Sequence, residues 1–200
     1  RSPTLFPAGN IALAVATAFV YGNVGRLILR RRVEGPAHLA SQLFGVWWLS
    51  LAIIQVLTLI PTVGSVLELG DVAFYTTYAY VVLLIICIAF WALVYYLAFV
   101  VTGKEAWFWP IAGLYAVVYV LLLYLVGSAS YTHVEFLAQG AMLAPQPAPN
   151  PILTQPIIIA LLAPPLIASV GYVRLYFRIQ ERTQRYRIGL VSATFLLWFV

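Results

Sequence analysis

The feature that most constrains this chain is a series of long apolar segments that contain almost no charged residues. A helix crosses the roughly 30 Å hydrocarbon core of a bilayer with about 20 residues. The complete candidate spans are residues 6–29, 39–60, 73–101, 106–126 and 154–177, and residues 188–200 begin a further one. The sequence therefore predicts an all-α fold, a polytopic bundle of membrane-spanning helices.

Composition supports this class. The chain is 64% hydrophobic and 8% charged, whereas soluble domains are about 25% charged. Its 11 Lys and Arg residues form no continuous face that could follow a phosphate backbone, so we expect no nucleic-acid partner. The last apolar segment is too short to span, and we expect the chain to belong to a longer protein with six or seven spans.

The basic residues lie at alternate ends of the predicted spans. The loops after the first, third and fifth spans, together with the adjoining end of the fifth span, carry Arg30, Arg31, Arg32, Lys104, Arg174, Arg178, Arg182, Arg185 and Arg187. The loops after the second and fourth spans contain no Lys or Arg. Because basic loops stay on the cytoplasmic side, this pattern predicts that the N-terminus lies outside. We expect the membrane to be that of a prokaryotic cell. We expect the basic residues to set this orientation and to contact anionic lipid headgroups on the inner side.

Neutral polar residues, rather than charged ones, occur in the middle of the complete spans. Tyr115 and Tyr119 lie four residues apart and so share one face of the fourth span, and Gln55 lies in the second. One interpretation is packing and hydrogen bonding between helices. The other is an aromatic pocket that opens outward between the third, fourth and fifth spans and binds a hydrophobic or small polar ligand.

Prolines mark two further positions. Pro164 and Pro165 lie in the middle of the fifth span, where a missing amide donor and a clash with the preceding turn predict a kink. The segment before that span, residues 144–156, is rich in proline. It predicts an extended connector over the outer face.

Catalytic chemistry is not expected in this chain. It contains no nucleotide-binding loop, no HExxH or GxSxG motif and no pair of carboxylates at helical spacing within a span. Cys87 is the only cysteine, and its position in an apolar run is typical of a buried packing residue. We therefore predict no enzyme activity, no cofactor and no bound metal.

This arrangement resembles the N-terminal seven-helix membrane region of sensor histidine kinases. The points of likeness are Arg30–Arg32 at the end of the first span, the WWL of Trp47–Leu49, the TGK turn of Thr102–Lys104 and an Arg/Gln-rich loop before the sixth span. The resemblance implies a membrane region that senses a ligand or the state of the membrane and passes a signal to a cytoplasmic domain.

The sequence leaves several functions open. The first is a membrane sensor or receptor-like module without catalytic chemistry. The second is a non-catalytic subunit that packs against other membrane subunits, or against a second copy of the chain. A transporter is the third, and uncharged spans without an inverted repeat disfavour it.

Overall fold

The computed structural model describes residues 5–31, 34–35, 37–137, 140–146, 151–178, 180 and 189. In chain order the elements are α1 (Leu5–Arg30), α2 (Ala37–Leu57), α3 (Leu59–Leu67), α4 (Val72–Thr102), a 3₁₀ turn (Glu105–Trp107), α5 (Phe108–Ser128), β1 (Ser130–Leu137), β2 (Gly140–Gln146) and α6 (Pro151–Arg178). The chain forms two compact units, residues 1–153 and 154–200.

The described residues contain five helical segments that are long and apolar enough to cross a membrane. They are Ala8–Arg30, Ala37–Leu67, Val72–Thr102, Glu105–Ser128 and Ile157–Arg178. The second is longer than predicted because it continues through α3 to Leu67. The predicted sixth segment lies outside the described residues except for Gly189.

Helices α1 and α2 approach each other closely at two glycines. A Cβ added to Gly25 would lie 2.8 Å from Leu49 Cγ and 3.0 Å from the Gly45 carbonyl oxygen. A Cβ added to Gly45 would lie 2.8 Å from Leu29 Cγ. Small residues allow such contact between backbones, which maximises van der Waals packing where no hydrophobic force drives two apolar helices together.

An aromatic cluster fills the space between α1, α2 and α4. Phe44 stacks on Tyr96 at a centroid distance of 4.3 Å, and Trp47 meets Trp48 edge-on at 4.7 Å. Tyr21 of α1 lies 5.5 Å from Trp48. Aromatic pairs in these geometries stabilise packing beyond the area that they bury. The cluster therefore fixes α1 and α4 against opposite sides of α2.

A proline, Pro61, lies just after the boundary between α2 and α3. Pro61 has no amide hydrogen, so it cannot donate to the carbonyl of Leu57 one turn earlier. The hydroxyl of Tyr78 on α4 donates to this carbonyl instead, at 3.1 Å. Pro61 lies in the first turn of α3, where proline is tolerated. The tyrosine thus satisfies a backbone group that the proline leaves open.

A β-hairpin follows α5, so the all-α prediction is wrong for residues 130–146. β1 and β2 pair antiparallel, with Leu137 opposite Gly140. The hairpin packs on α3: the hydroxyl of Ser65 donates to the Leu137 carbonyl, and Gly140, with φ of 144°, lies against Pro61. Part of the proline-rich segment predicted as an extended connector is therefore strand β2, and its final residues begin α6.

Helix α6 is the described part of the second unit. It is helical from Pro151 to Arg178, through both Pro164 and Pro165. The Ser169 hydroxyl donates to the Pro165 carbonyl at 2.8 Å. The kink at the two prolines stays a prediction.

Replacing Gly25 by alanine should destabilise the α1–α2 pair by about 1–3 kcal/mol, because overpacking forces neighbouring atoms to move. Gly113→Ala on α5 is the matched control, since its added Cβ would meet nothing within 4 Å. Unfolding in mixed detergent micelles, followed by circular dichroism, measures both. Equal stability of the two variants would contradict the close-approach interpretation.

Tyr78→Phe should cost about 0.6 kcal/mol, and at most about 1.7, the range measured for hydrogen bonds between membrane helices. In a Pro61→Ala background the amide of residue 61 can donate to Leu57, so the same change should cost much less. A double-mutant cycle of unfolding free energies measures the difference. An identical cost in both backgrounds would show that the hydroxyl does not compensate for the proline.

Candidate functional site

The candidate site lies between the antiparallel helices α4 and α5. Asp71 caps the start of α4 by accepting a hydrogen bond from the amide of Phe74 at 2.8 Å. Gly103, with φ of 67°, ends the helix in the left-handed conformation, and its amide donates to the Phe99 carbonyl at 2.7 Å. Such a glycine C-cap allows the chain to turn sharply into α5. The two helices are thereby held side by side.

A cavity of about 400 Å³ opens between these helices. From α4 it is lined by Leu84, Cys87, Ile88 and Trp91, and from α5 by Phe108, Trp109, Ala112, Tyr115, Ala116 and Tyr119. Its volume falls within the range of about 300–1,000 Å³ that small-molecule sites occupy. Ala112 and Ala116, one turn apart, leave the space that larger side chains would fill.

Aromatic rings wall one end of the cavity. Phe108 contacts Trp91 edge-on at a centroid distance of 5.3 Å and Trp109 at 5.1 Å. It also meets Tyr95 at 5.5 Å. Trp109 is 79% exposed, so its ring forms an open edge of the site. These rings present flat faces that suit a planar or branched apolar molecule.

The described residues that line this cavity carry no charged side chain. Those with polar groups are Tyr115, Tyr119, Cys87, Trp91 and Trp109. Tyr115 is 4% exposed, so its ring forms part of the cavity wall. The Trp91 Nε1 is buried and has no hydrogen-bond partner among the described residues. The lining is thus largely apolar and uncharged, which is typical of a lipophilic ligand site.

The structure brings together part of the predicted pocket. Tyr115 and Tyr119 both line the cavity, whereas Gln55 does not. Gln55 lies on α2, where its backbone carbonyl accepts a hydrogen bond from the Thr58 hydroxyl at 2.7 Å. The cavity also lies toward the Lys104 turn, at the first residues of α5, and not toward the opposite end as the sequence predicted. A polar residue in a span does not by itself reveal which neighbour its side chain faces.

Cys87 and Trp91 were not predicted as site residues. They are one turn apart on α4 and lie on the same face of this helix as Leu84 and Ile88. This face lines the cavity. Cys87 is buried, as expected of a packing residue. A periodicity search for aromatic residues on one face of the third span would have identified Trp91, but not the helix that this face meets.

The described basic residues are exposed at helix ends. They include Arg30, Arg31, Lys104, Arg174 and Arg178. Arg32, Arg182, Arg185 and Arg187 lie outside the described residues. Among those that are described, the one ion pair joins His133 and Glu135 of the hairpin at 3.5 Å, so none of the described basic side chains is neutralised by a carboxylate. In the same part of the chain no three His, Cys, Asp or Glu side chains come together as a metal site.

Known proteins offer no guide to the role of this site. No known protein family, curated protein or solved structure matches the chain. The assignment of function therefore depends on the geometry described above.

Proposed function

We propose that this chain is the integral membrane module of a sensor or receptor-like protein, and that a lipophilic ligand in the α4–α5 cavity provides its signal. The module crosses a prokaryotic cell membrane with its N-terminus outside. It carries out no catalysis in this segment. The observation that carries the proposal is the aromatic cavity, which is large enough for a small molecule and is lined by uncharged side chains.

The surface of the helices supports placement in a membrane. Phe19 of α1, Val101 of α4 and Trp109 of α5 are each more than 70% exposed. Helices that are apolar on all sides are stable within a bilayer, where the outward side chains contact lipid tails.

Charge supports the proposed orientation of the first unit. Arg30, Arg31 and Lys104 lie at one end of its helices, and Glu68 and Asp71 lie at the other, between α3 and α4. The basic end corresponds to the inner face under the positive-inside rule. Its exposed side chains are free to contact anionic headgroups.

A second candidate is a non-catalytic subunit of a larger membrane complex. Exposed apolar residues on one face of α5, namely Leu114, Val117 and Val120, would then pack against a companion helix instead of lipid. Isolation of the protein in a mild detergent separates the two functions. A stoichiometric polypeptide that co-purifies, without a bound small molecule, would favour the subunit.

Orientation can be tested with single cysteines in a Cys87→Ala background. We expect Met142→Cys, on the exposed surface of the hairpin, to react with a membrane-impermeant maleimide in intact bacterial cells. Glu105→Cys, beside the Lys104 turn, should react only after the membrane is permeabilised. The reverse pattern would show that the N-terminus lies inside.

Ligand binding can be tested in lipid nanodiscs with 1-bromonaphthalene, an apolar aromatic molecule that quenches tryptophan fluorescence. The wild-type protein should show a saturable component of quenching, since Trp91 and Trp109 line the cavity. Ala116→Leu fills part of the cavity and should weaken this component by about tenfold, which corresponds to about 1.4 kcal/mol.

The matched control is Val117→Leu, which adds bulk to the adjacent exposed residue of α5. It should leave the quenching unchanged. Non-saturable quenching of the wild type, or an equal effect of both substitutions, would overturn the cavity as a binding site. Mass spectrometry of protein purified in mild detergent is a second test of the cavity. It should detect a bound natural molecule in the wild type and none in Ala116→Leu.

A further inference from the structure

A second cavity lies at the opposite end of the first unit, between α3 and the first turn of α4. It has a volume of about 570 Å³ and is lined by apolar side chains together with two glycines. The side chains that matter are Leu59, Ile60, Val63, Leu69, Phe74 and Tyr75. We refer to this cavity as the α3–α4 groove.

Tyr75 and the glycines around it shape the groove. The Tyr75 hydroxyl donates to the Leu69 carbonyl at 3.0 Å, which holds the ring beneath the turn between the helices. A Cβ added to Gly64 would collide with this hydroxyl, and one added to Gly70 would lie 2.7 Å from the ring. The other face of α3, with Pro61 and Ser65, contacts the hairpin. The groove is therefore a formed feature of the α3–α4 turn.

The groove lies at the boundary between hydrocarbon and headgroups under the proposed membrane placement. Helix α5 has 21 residues, which cover roughly 31 Å and just cross the core. Its last turn meets α4 near Tyr80, because a Cβ on Gly127 would lie 3.3 Å from the Tyr80 hydroxyl. Residues of α4 before Tyr80, and the whole of α3, therefore lie at or beyond the edge of the core.

The position of the hairpin is consistent with this boundary between hydrocarbon and headgroups. Its open strand edges require water, so it lies outside the hydrocarbon. Tyr131 of β1 is close to Tyr80: burial raises the pKa of Tyr131, and the neighbouring Tyr80 raises it further. Tyr80 thus marks the height at which the bundle meets the headgroup layer.

The charge around the groove is negative. Glu68 and Asp71 are exposed on the turn that borders it, and residues 59–75 contain no Lys or Arg. The carboxylate of Asp71 caps α4 through the amide of Phe74. Glu68 forms no ion pair within the described residues, where His133 and Glu135 make the only one. The Phe74 ring, 49% exposed, offers a face to a cation.

We propose that the α3–α4 groove binds a cationic amphiphile from the outer leaflet, with the apolar chain along Leu59 and Val63 and the charged nitrogen beside Glu68 and Phe74. The apolar walls accept the chain, whereas the unpaired carboxylate and the exposed ring attract the positive head. An anionic head of the same chain length would be repelled by Glu68 and Asp71. This site is separate from the α4–α5 cavity and does not depend on ligand binding there, but it rests on the membrane orientation proposed above.

Photo-crosslinking in nanodiscs of zwitterionic lipid tests this site. The probe is dodecyltrimethylammonium with a diazirine in its alkyl chain, used below its micellar concentration, and mass spectrometry maps the labelled peptides. We expect labelling to concentrate in residues 59–75 and to be displaced by unmodified dodecyltrimethylammonium. A dodecyl sulfate probe with the same diazirine should label this segment much less.

The variants separate charge from apolar partition. Glu68→Gln should weaken labelling by roughly two- to fivefold, the size of one exposed charge interaction. Phe74→Leu keeps the apolar wall but removes the ring, and should reduce only the labelling by the cationic probe. Glu135→Gln, an exposed carboxylate of the hairpin, is the matched control and should change nothing.

Three results would overturn the proposal. Labelling spread evenly over all helices would indicate partition into lipid only. Equal labelling of residues 59–75 by the cationic and anionic probes, or equal labelling of the wild type and Glu68→Gln by the cationic probe, would show that charge does not select the ligand. Loss of bromonaphthalene binding in Ala116→Leu concerns the other cavity and would leave this result unaffected.

Discussion

The outward faces of the long helices are as apolar as the faces that pack inside, and this property governs the rest of the structure. In each candidate span only 11–33% of the residues in the most apolar window are buried within the protein. So much exposed hydrocarbon is unfavourable in water, and it is compatible with an apolar medium such as a membrane over this length. In such a medium the hydrophobic effect no longer drives helices together, and association depends on close packing and hydrogen bonds. The glycine contacts between α1 and α2 and the stacked rings of Phe44 and Tyr96 are the two forms of close packing that this chain uses.

The same medium requires every backbone polar group to find a partner inside the protein. The proline at position 61 is one place where the helical pattern leaves a carbonyl without its amide donor, and the Tyr78 hydroxyl supplies a donor from a neighbouring helix. Threonine side chains meet the requirement locally: the hydroxyls of Thr17, Thr62 and Thr76 each donate to the carbonyl four residues earlier. The β-hairpin, with open strand edges, occurs only beyond the helix ends. Backbone satisfaction therefore decides where each kind of secondary structure is found.

Hydropathy identified the long helices because length and apolar content are properties of each segment alone. It ended the second span at residue 60, since proline is read as a helix end, although Pro61 in a first turn permits α3 to continue. The hairpin was missed for a different reason. Tyr131, Val134 and Phe136 favour a strand and Gly140 favours a turn, but Pro145 in the second strand and the prolines that follow it favoured an extended connector. The candidate site was predicted in part: helical spacing placed Tyr115 and Tyr119 on one face, whereas the α4 face that they meet depends on how the helices pack.

Helix α4 carries the lining of both proposed sites. Phe74 and Tyr75 border the α3–α4 groove at its start, and Cys87 and Trp91 line the α4–α5 cavity farther along. Ala89, Ala92 and Leu93 have no exposed surface, so the part of α4 around the α4–α5 cavity is tightly packed against its neighbours. The two proposed sites share this one helix, and a rigid shift of α4 on binding at one site would change the geometry of the other. Coupling between two binding sites is reciprocal. A ligand in the groove would therefore change the affinity of the cavity by some factor, and a ligand in the cavity would change the affinity of the groove by the same factor. Helix α4 is thus the element through which the two proposed sites would be coupled.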